Sequence, residues 1–136
     1  MVLKVIIDTN FLLIPGDFGV DIFQEITEQA NNVVEFIILQ KVIQELEDLC
    51  VNKDLNDKQR KSAKLGLALL KQKNLKIEHC SNEHTDDAIV KKSLEFKEKG
   101  DSVAIATQDK QLTSRCLNYG VQVFTLRQKK KVLLLK

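Results

Sequence analysis

The stretch Val5-Ile6-Ile7-Asp8-Thr9-Asn10 constrains the fold more than any other part of this chain. Consecutive β-branched apolar residues read as a strand buried on both faces, a pattern that belongs to the interior of mainly parallel sheets. Asp8 ends the run abruptly. In open α/β sheets ligands bind outside the carboxyl ends of the strands, so an acid at that point stands where chemistry is done. Further acids on the same edge would make Asp8 part of a carboxylate cluster, and a carboxylate cluster in a dry cleft implies a cation.

The rest of the chain alternates between strand and helix patterns. Val2 to Asp8 reads as the first strand, and Pro15-Gly16 as a turn. Asp17 is expected to cap a helix to Ala30 that presents Ile22, Phe23 and Ile26 on one face. Val33 to Leu39 reads as a second strand, followed by a helix carrying Val42, Ile43, Leu46, Leu49 and Cys50. After a polar loop at 52–56, Asp57 is expected to cap a Lys-rich helix running to Lys73. Leu75 to His79 reads as a short edge strand, and Ser81-Asn82 as a turn. Thr85-Asp86-Asp87 opens a further helix that Gly100 ends. Ser102 to Ala106 is a compact apolar strand, and Thr107-Gln108-Asp109 leads into a helix stopped by Gly120. Val121 to Leu126 is the last expected strand. Several strands are apolar on both faces, so the economical architecture is a three-layer α/β/α sandwich with a mainly parallel central sheet.

Composition bounds the function. With 136 residues and 43% apolar content, the chain suits one domain, here 1–126, with a basic and apolar tail over 127–136 that reads as an extra edge strand or an interface. Lys and Arg number 21 against 19 acids, a formal charge of +2, so nucleic-acid affinity has to come from local patches. Cys50, Cys80 and Cys116 are odd in number and scattered, as reduced packing residues are. No apolar stretch has the length of a signal segment or a membrane span, so the expectation is a soluble, cytoplasmic protein.

Parallel strands share one carboxyl edge, and acids far apart in sequence converge there. Asp8 and Asp109 follow strands directly, and Asp86 and Asp87 lie in the first turn of a helix. Glu45 flanks the apolar stripe of its helix, and by periodicity alone Glu47 flanks it equally well. Each acid also has a structural explanation: Asp8 and Asp109 as caps of turns, Asp86 and Asp87 as complements to a helix dipole, Glu45 as a solvated helix glutamate.

The order Val-Ile-Ile-Asp8-Thr9-Asn10, Val42-Ile43-Gln44-Glu45-Leu46, Asp86-Asp87-Ala88-Ile89-Val90 and Ala106-Thr107-Gln108-Asp109-Lys110-Gln111-Leu112 resembles the PIN-domain nucleases over nearly the whole chain. Within them it is most similar to the branch of rRNA-processing PIN endonucleases and their archaeal and VapC-type relatives. The resemblance implies a metal-dependent endoribonuclease with Asp8, Glu45, Asp87 and Asp109 as catalytic and metal-binding acids. It selects Glu45 over Glu47, and Asp87 over Asp86, which becomes an assistant. Asn10 and Thr107 match positions that orient the acids. The implied cofactor is Mg²⁺ or Mn²⁺, since hard divalent cations take oxygen ligands. RNA is the implied substrate. A homodimer, an antitoxin and a pre-ribosomal particle are the partners that the resemblance raises, and rRNA processing or toxin activity is the setting.

Two basic clusters offer themselves to RNA: Lys58, Arg60, Lys61 and Lys64, and Arg127, Lys129, Lys130 and Lys131. Charge runs of this kind are more often simply solvated. His79 and His84 fit no metal-ligand spacing and read as surface residues. A rival of a different class is a PIN fold that binds RNA or assists ribosome assembly with little turnover. A haloacid-dehalogenase-type phosphatase would need an acid two positions after Asp8, where Asn10 stands.

Overall fold

The computed structural model describes residues 2–73, 75–80 and 83–136. Val5, Ile6 and Ile7 are fully buried in β1 (Val2–Ile7), an interior strand. After a 3₁₀ turn at Thr9–Leu13 come α1 (Ile14–Phe18), α2 (Ile22–Ala30), β2 (Val33–Leu39), α3 (Gln40–Cys50), α4 (Asp57–Gln72) and β3 (Lys76–Glu78). The chain continues through α5 (Thr85–Glu98), β4 (Ser102–Ala106), α6 (Lys110–Asn118), β5 (Gln122–Arg127) and β6 (Lys131–Leu135). The turn expected at Ser81-Asn82 lies outside the described residues.

The strands lie in the order β3-β2-β1-β4-β5-β6. β1 to β5 are parallel and β6 returns antiparallel to β5. From β1 the chain steps outward to β2 and β3, then crosses back to β4 and steps the other way to β5. Right-handed crossovers therefore put α1 to α4 on one face and α5 and α6 on the other, which is the expected three-layer α/β/α sandwich. The direction of winding reverses between β1 and β4. At such a switch point the flanking connections diverge and leave a crevice at the carboxyl ends of the strands.

Several local expectations are corrected. The segment 17–30 is not one helix. Pro15 supplies the preset φ of a helix start, so Pro15-Gly16 lies inside α1 rather than in a turn, and Gly19 in the left-handed region (φ +68°) ends it. Asp21, not Asp17, caps α2 by accepting the Gln24 N–H at 3.1 Å. Asp17 instead accepts the Ser62 hydroxyl at 2.6 Å, tying α1 to α4. The cap of α4 is Asn56, in a reciprocal box with Gln59, one residue before the expected Asp57. The tail folds back as β6, whose Val132 N–H donates to Glu25 of α2 at 3.0 Å.

Candidate active site

Asp8 stands at the switch point, 5% exposed, immediately after β1. Its Oδ1 accepts the Thr9 N–H at 2.8 Å and its Oδ2 accepts the hydroxyl of fully buried Thr107 at 2.8 Å. Thr107 follows β4, the strand paired with β1, so the contact joins the two sides of the reversal. The same hydroxyl oxygen accepts the Asp109 N–H at 3.1 Å. Asp109 in turn caps α6, accepting the N–H groups of Gln111 at 2.8 Å and Leu112 at 3.0 Å. The capping and functional readings of Asp8 and Asp109 thus coexist: the backbone donors orient each carboxylate, and lone pairs remain for a ligand.

Thr9 brings in the next strand connection. Its hydroxyl donates to Glu45 Oε1 at 2.8 Å, drawing α3 to the turn after β1. Asn10 accepts the Gln108 N–H at 3.0 Å and bridges the same two connections. Gln108 Oε1 accepts the Leu126 N–H at 2.7 Å and the Thr125 hydroxyl at 3.0 Å, which fixes the loop after β4 to β5.

Burial pushes the Asp8 carboxyl from its ordinary 3.8 up to about 6. The Thr107 and Thr9 hydrogen bonds hold it back, while the charges of Asp86 and Glu45 add to the rise. Asp86 is also raised, first by burial and then by Asp109, with Asp87 and Glu45 contributing and Arg115 opposing. The acids therefore feel one another across four connections. Asp86 is the more enclosed of the adjacent pair and the one that acts on Asp8. Asp87 is exposed and pairs with Arg115 of α6 at 2.9 Å. Both acids line an open cleft of about 770 Å³ between the starts of α3 and α5, together with Lys41, Gln44, Glu45, Asp48 and His84.

Apart from His84 on the cleft wall, the donors available to a ligand are oxygens: carboxylates, the Asn10 amide oxygen and threonine hydroxyls. That chemistry fits a hard divalent cation and not a soft one. Among the described residues no three acids are already gathered into a ligand cage. A cation here would keep much of its water shell, as Mg²⁺ readily does.

Residues 5–129 match the family described as PIN-like domain. The chain belongs to the PIN-like family. Among curated proteins, this PIN-like chain is 32% identical over 127 residues to Ribonuclease VapC4 of Methanocaldococcus jannaschii, covering 93% of this chain and 92% of the relative. Among solved structures, its fold matches the PIN domain endonuclease Utp24 with a TM-score of 0.77 at 23% identity, over 96% of this chain and 90% of that one. A structure of T5 D15 protein co-crystallised with metal ions shares the fold at a TM-score of 0.55 and 14% identity, over 93% of this chain and 55% of that one.

Sequence reasoning passes over three residues of the PIN-like site. Thr9 carries a signal, a hydroxyl beside Asp8. The tether made by Gln108 and the reach of Arg115 to Asp87 carry none, since both depend on how neighbouring elements pack. The basic clusters do not behave alike. Arg60 donates to Asn52 O at 3.0 Å, to Leu55 O and to Asp57, so it braces the loop before α4. Lys58, Lys61 and Lys64 are exposed on α4. Cys116, next to the site but 1% exposed, has its thiol pushed up to about 11, chiefly by burial, and is a packing residue.

Proposed function

We propose that this PIN-like protein is a divalent-metal-dependent endoribonuclease that hydrolyses RNA phosphodiester bonds. The observation that carries the reading is Asp8, buried at the switch point with its pKa raised, gripped by Thr107 and electrically coupled to Glu45 and Asp86. A buried carboxylate beside other acids is matched to a cation, which relieves the repulsion.

Asp8, Glu45, Asp87 and Asp109 would hold Mg²⁺ or Mn²⁺, with Asp86 supporting them from the same helix turn. The bound cation would supply an acidified water and charge neutralisation at the phosphoryl oxygens. The chain's own groups fix the geometry. Thr107 and Thr9 hold both oxygens of Asp8, and Thr9 fixes Glu45. Asn10 keeps the two loops in register. In-line attack by water would leave a 5′-phosphate and a 3′-hydroxyl. The relative Ribonuclease VapC4 supports RNA as the substrate. The VapC-type relative makes an antitoxin a proposed partner, alongside a homodimer, and the sequence resemblance keeps a pre-ribosomal particle as the alternative. The proposed site of action is the cytoplasm. Among the described residues no helix is long and apolar enough to cross a membrane.

The test is cleavage of single-stranded RNA by purified protein with added Mn²⁺. EDTA should stop it, and Asp8→Asn or Asp109→Asn should lower it by at least about a hundredfold while the fold persists. Asn is as good a helix cap as Asp, so the second variant separates chemistry from folding. RNA that is bound but never cut would favour the binding-module reading.

A further inference from the structure

The hairpin between β5 and β6 combines features that are individually unfavourable. Arg127 and Lys131 are direct cross-strand partners, and like charges directly opposite destabilise an antiparallel pair. Gln128 (φ 55°) and Lys129 (φ 58°) both occupy the left-handed region, where hairpins ordinarily place Gly or Asn. Residues 127–131 are all exposed. Among the described residues neither Arg127 nor any of Lys129, Lys130 and Lys131 is within ion-pair distance of an acid. Strain and repulsion kept together at an exposed tip call for an anionic ligand.

The register places this tip beside the acids. Ile7 is level with Ala106 and Ala106 with Phe124, so Asp8, Thr107 and Thr125 share one level at the carboxyl edge. Arg127 lies two strands across and two residues beyond, about 12 Å from Asp8 by ordinary strand spacing. Gln108 holds β5 in that position. Beside the tip is Phe18, at the end of α1, 41% exposed with Lys129 Nζ 5.8 Å from its ring centre. An accessible aromatic ring next to unpaired cations is the combination that holds single-stranded nucleic acid: bases stack while phosphates pair. The cleft lined by Lys41, Gln44 and His84 opens on the opposite, α3 side of the acids.

We propose that the β5–β6 tip is a single-strand RNA clamp, with Arg127, Lys129, Lys130 and Lys131 on phosphates and Phe18 under a base. The RNA then runs across the strand ends from the hairpin, over Asp8, toward the α3–α5 cleft. This inference deepens the endoribonuclease reading and rests on it for the strand's path. An acidic protein is the competing occupant, but the aromatic platform and the shared edge favour RNA.

The experiment uses full-length protein with Asp8→Asn to prevent cutting, and a fluorescein-labelled 12-nucleotide single-stranded RNA followed by anisotropy across a KCl series. Replacing Arg127, Lys129, Lys130 and Lys131 together by Gln should weaken binding by about tenfold or more. It should also flatten the log–log salt slope by about 0.7 for each phosphate no longer neutralised, roughly 3 for all four. Phe18→Ala alone should weaken binding about tenfold and leave the slope unchanged. Unchanged affinity and slope in both variants would overturn the clamp. So would weakening seen only when Lys58, Lys61 and Lys64 are replaced, or a quadruple variant that keeps RNA and no longer binds a polyglutamate peptide. Mn²⁺-dependent cleavage by the wild type is scored separately, so a failed clamp and a failed nuclease are told apart.

Discussion

With a pKa near 6, Asp8 is largely ionised at pH 7 in surroundings that favour its neutral form. The folded protein holds this proton more tightly than the unfolded chain does. The associated stability is present in full below about pH 4 and is lost as pH rises through 6. A shift of this size corresponds to roughly 3 kcal/mol. Asp8→Asn, which keeps the shape without the charge, should therefore melt several degrees above the wild type at pH 7.5 in metal-free buffer, and the gap should close toward pH 4. A lower melting point for the variant at pH 7.5 would contradict this account. Arg115 makes a second residue-scale case. Its pair with Asp87 is about half exposed, so losing it should cost at most about 1 kcal/mol. It is also a cation beside an acidic cluster. Arg115→Gln should therefore leave the melting point nearly unchanged while tightening Mn²⁺ binding several-fold by calorimetry.

Helix α4 presses on the turn that follows Asp8, and one glycine makes that possible. A Cβ on Gly66 would stand 2.5 Å from the carbonyl oxygen of Leu12. Backbone cannot yield as a flexible side chain can, so Gly66→Ala should destabilise the protein by about 1–3 kcal/mol, measured by urea unfolding. It should also reduce cleavage beyond the loss of folded protein, because Leu12 belongs to the turn that carries Thr9 and Asn10. The same elements show what the sequence discloses. Val5-Ile6-Ile7 and Ser102 to Ala106 announce buried parallel strands because both faces of each are apolar. Asp8 and Asp109 are legible because they end such runs. The break at Gly19 is hidden because Ile22, Phe23 and Ile26 keep helical spacing whichever residue caps them. The relation of Asp86 to Asp87 is hidden as well, since it turns on the direction in which α6 presents Arg115.

The reversal of winding between β1 and β4 gathers acids from four connections onto one edge, so charge repulsion at that edge is a property of the whole fold. A divalent cation should stabilise the entire domain as a single unit: Mn²⁺ at a hundred times its dissociation constant contributes about 2.7 kcal/mol. The wild type should thus show a melting shift of several degrees with Mn²⁺, and Asp8→Asn should show much less. The contact between the Thr107 hydroxyl and Asp8 closes a loop across 99 positions of sequence. A chain emerging from the ribosome can pair β1 with β2 early, but it cannot complete this edge until β4 and Asp109 have cleared the exit tunnel. The topology therefore makes the carboxylate edge one of the last parts of the PIN-like domain that can form during synthesis, long after β1 itself has emerged.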